Sequence, residues 1–378
     1  MLEYSLYTCH TFMSFDFSKL SRAVSFGGLK KEGAGVVGID IGSSSVKVVQ
    51  LKSVRGVATL ETYGELQLGP YANVEIGRAT NLDATKLSEA LVDIVREASV
   101  SSKQVALGMS YSSSFVTVII IPVNDESQLA SIVPLEARKY VPVPMSEVTL
   151  DWFVIPDAKG GKGDNNKRVL LAAIHNESLS KYQTVIQNAA LQSSFVEIEI
   201  FSTIRSSTQG TQGTSVILDI GAATTKLYVV RNGVIERTHS MTIGSQDMTL
   251  SLSQALELSV IDAEELKRQV GLEGGETDPR IAQSLNFSLD RILHESARLV
   301  GAYEQRSQDT ISKVILTGGG SLLKGLSARA TEYFKKDVVL ADPFSKVSYP
   351  AFLEDTLKQA GPSFAVAMGV ALRKLNEK

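Results

Sequence analysis

One pattern occurs twice in the chain, and any fold that accommodates it must build the same small structure in both halves. GIDIGSSSVKV, Gly38 to Val48, and ILDIGAATTKL, Ile217 to Leu227, agree in register: Asp40 with Asp219, Gly42 with Gly221, Lys47 with Lys226. In each copy a short apolar run ends beside an aspartate, bends through small residues and resumes, which predicts two strands joined by a tight turn. Gly42 is the residue expected to take positive φ there. Ser43, Ser44 and Ser45 carry nothing bulkier than a hydroxymethyl group, so backbone N–H groups and hydroxyls can crowd round a phosphate. Asp40, at the strand end, can hold a hydrated Mg2+, and Lys47 adds a cation. A serine-rich hairpin with no ligand has the same local appearance. The repetition is what points to two hairpins clamping one polyphosphate and its metal between two domains.

Two domains are also what 378 residues lead one to expect. The formal net charge of -3 gives no basic surplus for nucleic acid, and no apolar run approaches the roughly 20 residues that a bilayer span needs. One cysteine, Cys9, excludes an intramolecular disulfide and fits a reducing compartment. His10, His175, His239 and His294 are scattered and leave no zinc-type site. Residues 1–35 read as a lead segment without a signal peptide's basic start and apolar core, either a flexible tail or a short interfacial helix through Phe17, Leu20 and Val24. Translation could start at Met1 or at Met13.

Along the first half, an antiparallel meander is expected to continue to about Leu68, with Gly56 and Gly64 at its turns. Asp83 caps a helix ending near Ala98, and strands follow at Val105 to Met109 and Phe115 to Ile121, the second apolar enough to be buried. A helix from about Ser127 to Tyr140 stops before Val141-Pro142-Val143-Pro144, and Val148 to Ile155 alternates as a strand. Lys159 to Lys167 reads as a surface loop, and Arg168 to Ile174, Leu179 to Ala190 and Phe195 to Ile200 as a βαβ unit. A linker at Thr208 to Thr214 leads to the second hairpin, whose meander turns at Asn232-Gly233, and then to a mostly helical remainder.

Two further stretches carry chemistry in their spacing. Val314-Ile315-Leu316 runs into Gly318, Gly319 and Gly320, where a flat ring can lie against bare backbone. In DAEELKRQVG, Asp262 and Glu265 make a capping box and Gly271 the stop, with Ala263, Leu266 and Val270 towards the core. Glu264, Lys267 and Arg268 then share another face, which reads in isolation as solvated.

Strand, bend and strand with Asp40, a second copy with Asp219 and a later triple-glycine turn, in that order, resemble the phosphate-1, phosphate-2 and adenosine motifs of the actin-like ATPase superfamily. Within it the chain resembles the PilM family of type IV pilus assembly and is similar to the cell-division protein FtsA. The residues that carry this are the SSSVKVV hairpin, Glu136 to Pro144, DIGAATTK, TGGGS, and Gly361-Pro362-Ser363 to Gly369, across about Gly35 to Leu375. The resemblance implies an α/β actin-like fold: two lobes, each a mixed β-sheet with flanking helices, at 36–207 and 208–378. It also implies a 1C subdomain inserted at about 77–157. ATP and Mg2+ are the implied cofactors, with Asp40 and Asp219 positioning the metal. Gly42, Ser43, Ser44, Ser45 and Lys47 would hold the phosphates from one side, and Gly221, Ala222, Ala223, Thr224 and Thr225 from the other. Gly318, Gly319 and Gly320 would bear on adenine and ribose, and Glu264, Lys267 and Arg268 on the nucleoside. Glu199 would orient the attacking water, although Glu197 lies on the same face of the expected strand.

The chain departs from many relatives in having Ala222 and Ala223 where they have glycines. The added methyl groups limit backbone approach to the γ-phosphate, so ATP binding with weak or no hydrolysis is expected. The implied partners are the N-terminal cytoplasmic peptide of a PilN-like bitopic membrane protein, docked in extended form beside the inserted block, and other pilus-assembly platform proteins. Self-association is a further expectation, and the implied place is cytoplasmic, peripheral to the inner membrane through the partner. Two rivals are an FtsA-like division tether, which would need a C-terminal amphipathic helix, and a small-molecule kinase of the same superfold, which would need a carboxylate base in a glycine-hinged loop.

Overall fold

In the computed structural model, which describes residues 35–123, 125–155, 166–208 and 213–377, each copy of the repeat forms a hairpin that opens a five-stranded sheet. The strands are β1 (Val36–Ile41), β2 (Ser45–Val54), β3 (Val57–Gln67), β4 (Gln104–Met109), β5 (Ser114–Pro122), β6 (Val148–Val154), β7 (Asn166–His175) and β8 (Gln192–Ile198). They continue with β9 (Thr214–Ile220), β10 (Thr225–Arg231), β11 (Val234–Met241), β12 (Ile311–Thr317) and β13 (Asp337–Leu340). The helices are α1 (Ala84–Glu97), α2 (Leu129–Ala137), α3 (Asn176–Asn188), α4 (Glu199–Ser207), α5 (Ser245–Leu256), α6 (Val260–Val270), α7 (Pro279–Ser307), α8 (Leu326–Phe334), α9 (Glu354–Ala360) and α10 (Ala365–Asn376).

The first sheet has order β3-β2-β1-β4-β8 and the second β11-β10-β9-β12-β13. Each is an antiparallel meander of three strands extended by two parallel ones. Alternation along β1 explains why both faces of the first sheet are covered. Val37, Ile39 and Ile41 share a core with Leu87, Leu91, Val185 and Ile186 of α1 and α3, whereas Val36 shares one with Ala367, Met368 and Ala371 of α10. In the second sheet, Val216, Leu218 and Ile220 pack with residues of α5 to α8. The residues between them, such as Ile217, share a core with Ile200, Phe201 and Ile204 of α4. Helix α4 thus leaves the first sheet and is buried with the second. It is pressed against α10, where a side chain at Gly369 would lie 2.0 Å from the Ser202 carbonyl oxygen.

Several expectations need correction. Gly64 lies inside β3, packed against Ala98, and the meander turns at Arg55-Gly56, both at positive φ, as Asn232-Gly233 does in the second half. Gly42 is not at positive φ; its N–H donates to the Ser45 carbonyl at 3.0 Å, closing the bend. Strand β5 is half-exposed, with Ile120 at 61%. The βαβ unit does not exist, because β7 pairs with β5 and β6 in a separate three-stranded sheet and β8 pairs with β4. That small sheet, with α2 against one face, spans residues 114–175 rather than 77–157, since β4 pairs with β1 and α1 packs on the first sheet. Ser259 is the N-cap of α6, one turn before the expected Asp262, which instead completes the cap at N3. The lead at 1–35 falls, up to residue 34, outside the described residues, as do 159–165 of the loop and 209–212 of the linker.

Candidate functional site

A cleft of about 790 Å3 opens between the two hairpins. It brings together Asp40, Gly42, Ser43, Ser44, Ser45 and Lys47 of the first hairpin with Asp219, Gly221, Ala222, Ala223 and Thr224 of the second. Glu199 at the start of α4, Glu264, Lys267 and Arg268 of α6, and Gly318, Gly319 and Gly320 after β12 complete this set of walls. Thr225 is the exception. It is fully buried at the start of β10, where its hydroxyl donates to the Ile243 carbonyl at 2.8 Å.

Both bends are built alike. Gly42 N–H donates to Ser45 O at 3.0 Å and Gly221 N–H to Thr224 O at 2.9 Å. The outward carbonyls are taken up by neighbouring chain: Ser43 O accepts from Thr80 N–H, and Gly221 O and Ala222 O accept from Ser245 and Gln246 N–H at the start of α5. The register sets Asp40 opposite Lys47 and Asp219 opposite Lys226. The glycine turn lies so close to the second hairpin that a side chain at Gly318, whose φ is +81°, would meet Asp219 Oδ1 at 2.4 Å. Gly318 N–H and the Thr317 hydroxyl both donate to the Pro362 carbonyl at 2.9 Å, so Gly361-Pro362-Ser363 buttresses that turn. Pro362 and Ser363 themselves line the cleft; the motif was visible in the sequence, its role was not.

Charge is concentrated on the cleft floor. Lys47 Nζ donates to Ser45 Oγ at 2.7 Å and pairs with Glu65 at 3.3 Å. Lys226 Nζ pairs with Glu199 Oε1 at 2.9 Å and Asp219 Oδ2 at 3.4 Å, and Tyr111 N–H donates to the same Glu199 oxygen at 2.6 Å. Burial pushes the Asp40 carboxyl up to about 7; Lys47 opposes the shift, and the carboxylates Glu199 and Asp219 add to it. Glu197 is separated from Glu199 by the strand's end. Strand β8 stops at Ile198, and Glu197 points into the protein, fully buried against Arg205, Arg373 and Ser202. On α6, Glu264 and Lys267 are buried rather than solvated. Glu264 Oε2 accepts from Lys267 and the Thr249 hydroxyl at 2.6 Å each, and Oε1 from Arg268 at 2.6 Å. Arg268 alone of the three is exposed.

Two sheets of one strand order, joined through crossing helices and facing each other across a cleft, define the two-lobed actin-like fold. The family described as type IV pilus assembly protein PilM matches residues 38–375, and the chain belongs to that family. The fold is similar to the solved PilM-PilN type IV pilus biogenesis complex, with a TM-score of 0.77 and 23% identity over 90% of this chain and 99% of that one. Ethanolamine utilization protein EutJ from Carboxydothermus hydrogenoformans gives a TM-score of 0.52 and 14% identity, covering 91% and 90% of the two chains. In sequence the chain is 26% identical over 355 residues to cell division protein FtsA of Streptococcus pneumoniae, covering 81% of this chain and 75% of that protein.

Proposed function

We propose that the chain is an ATP-binding component of a type IV pilus assembly platform, in which one cleft holds Mg-ATP and another face docks the N-terminal cytoplasmic peptide of a PilN-like membrane protein. The observation that carries the first part is the convergence of two equivalent bends, each with its aspartate and lysine, on one cleft walled by the glycine turn. The residues fit a divalent cation: burial, with smaller contributions from Glu199 and Asp219, holds the Asp40 carboxyl at about 7, and a metal beside it would favour the carboxylate. Among the described residues no three His, Cys, Asp or Glu side chains gather as a metal site, and Asp40 and Asp219 are the residues that would hold the ion. When bound, the ion would supply positive charge against the phosphates. Lys47 and the small residues of both bends would hold those phosphates. Gly319, at whose position a side chain would meet nothing within 4 Å, would leave room for the base.

Turnover below about 1 per second, the low end of the ordinary range, is expected. Ala222 and Ala223 narrow the approach to the phosphate, and Glu199 is engaged by Lys226. For the partner, support comes from family membership and from the three-stranded sheet, whose β5 and β6 are edge strands; Ile120 of β5, Leu135 of α2 and Tyr140 just after it are exposed. An extended peptide can add to such an edge. Membrane association would come through that partner; no helix among the described residues is long and apolar enough to cross a membrane. Co-purification with the isolated cytoplasmic segment of a PilN-like protein, with Mg-ATP present, tests the assignment; failure to bind it would sink the pilus-platform reading.

A further inference from the structure

Lys47 and Lys226 occupy equivalent places in the repeat, each opposite its hairpin's aspartate and each 8% exposed. Their partners are not equivalent. Lys47 pairs within its own lobe, with Ser45 and Glu65. Lys226 reaches across the cleft from β10 to Glu199, the first residue of α4, which is fixed on the other side by the Tyr111 N–H. The ammonium therefore sits between a carboxylate of each lobe, at the floor of the space assigned to the phosphates.

We propose that Lys226 discriminates a nucleoside triphosphate from a diphosphate: its ammonium exchanges Glu199 for the terminal phosphate, and the exchange releases a contact that otherwise ties the lobes together across the cleft. The inference rests on the cleft being a nucleotide site. A buried cation is costly unless paired, and Lys226 is paired before the exchange and after it. Glu199 released from Lys226 keeps the Tyr111 N–H and becomes a stronger acceptor facing the cleft. A diphosphate lacks the γ-phosphate that would draw the lysine away, and the tie to Glu199 stays. Among the described residues nothing comparable links Lys47 to the second lobe, so the two lysines divide the work: one holds, the other reads.

The test is equilibrium titration of Mg-ATP and Mg-ADP onto the full chain and two variants. The first is Lys226→Met; the second, in case that leaves the carboxylates too exposed to each other to fold, is the neutral pair Lys226→Gln with Glu199→Gln. The wild type is expected to prefer ATP, and both variants to lose at least about tenfold of that preference, the scale of one charge-assisted hydrogen bond. ADP affinity is expected to change much less. An ATP preference that survives in a folded variant overturns the role of Lys226 and leaves the nucleotide site standing. Absence of nucleotide binding by the wild type overturns the site itself.

Discussion

At the scale of single residues, the two bends were legible because everything that makes them is local: an apolar run, an acid, small residues, a second run. What was not legible is how neighbouring residues of one type divide their roles. Glu197 and Glu199 would share a face in a continuous strand, and only the change from strand to helix at Ile198 sends one into a buried ion cluster and the other to the cleft. Thr224 and Thr225 part in the same way, because the return strand begins at the second of them. The triple glycine divides too. A methyl group at Gly318 would strain a positive φ and strike Asp219, whereas one at Gly319 meets nothing within 4 Å. Gly318→Ala is therefore expected to cost about 1–3 kcal/mol in chemical unfolding. Gly319→Ala, by contrast, should stay within about 0.5 kcal/mol of wild type while weakening nucleotide binding from the cleft wall.

Among the elements, those bounded by their own signals were read well: α1 begins at its Asp83 cap and β10 turns into β11 at Asn232-Gly233. Elements defined by distant partners were not. Strand β7 has the pattern of a buried strand, and nothing local says that it lies between β5 and β6 rather than beside β8. Helix α10 is buried on nearly every side against the first sheet and α4, so it shows no polar stripe. Its tie to β8 and α4 is the Glu197 cluster. Burial would raise that carboxyl, but Arg205, Arg373 and the Ser202 hydroxyl overcome it and hold Glu197 at about 2, below the ordinary 4.5. A depressed acid contributes stability that is fully present above pH 4.5 and lost as pH falls towards 2, here about 3 kcal/mol. Acid titration of stability should show that loss in the wild type and not in Glu197→Gln. That variant should itself be less stable at neutral pH by about 3–5 kcal/mol, because it removes the buried carboxylate that Arg205 and Arg373 share.

For the whole molecule, the lobes touch around the cleft through a small set of polar contacts besides the α4 and α10 crossing. Arg168 pairs with Glu236 at 2.6 Å, the Tyr111 and Thr238 hydroxyls meet at 2.8 Å, and Ala79 N–H donates to Gln246 at 3.0 Å. A ligand gripped by both hairpins adds to these only when it is bound. At a hundred times its dissociation constant it should stabilise the protein by about 2.7 kcal/mol, read as a rise in Tm with Mg-ATP and not with Mg2+ alone. The central claim is that this single cleft binds Mg-ATP through both aspartates at once. Calorimetric titration of Mg-ATP onto the wild type and onto Asp40→Asn with Asp219→Asn tests it most directly. The account predicts one saturable site per chain, weakened at least about tenfold in the double variant; equal affinity in both proteins would contradict it.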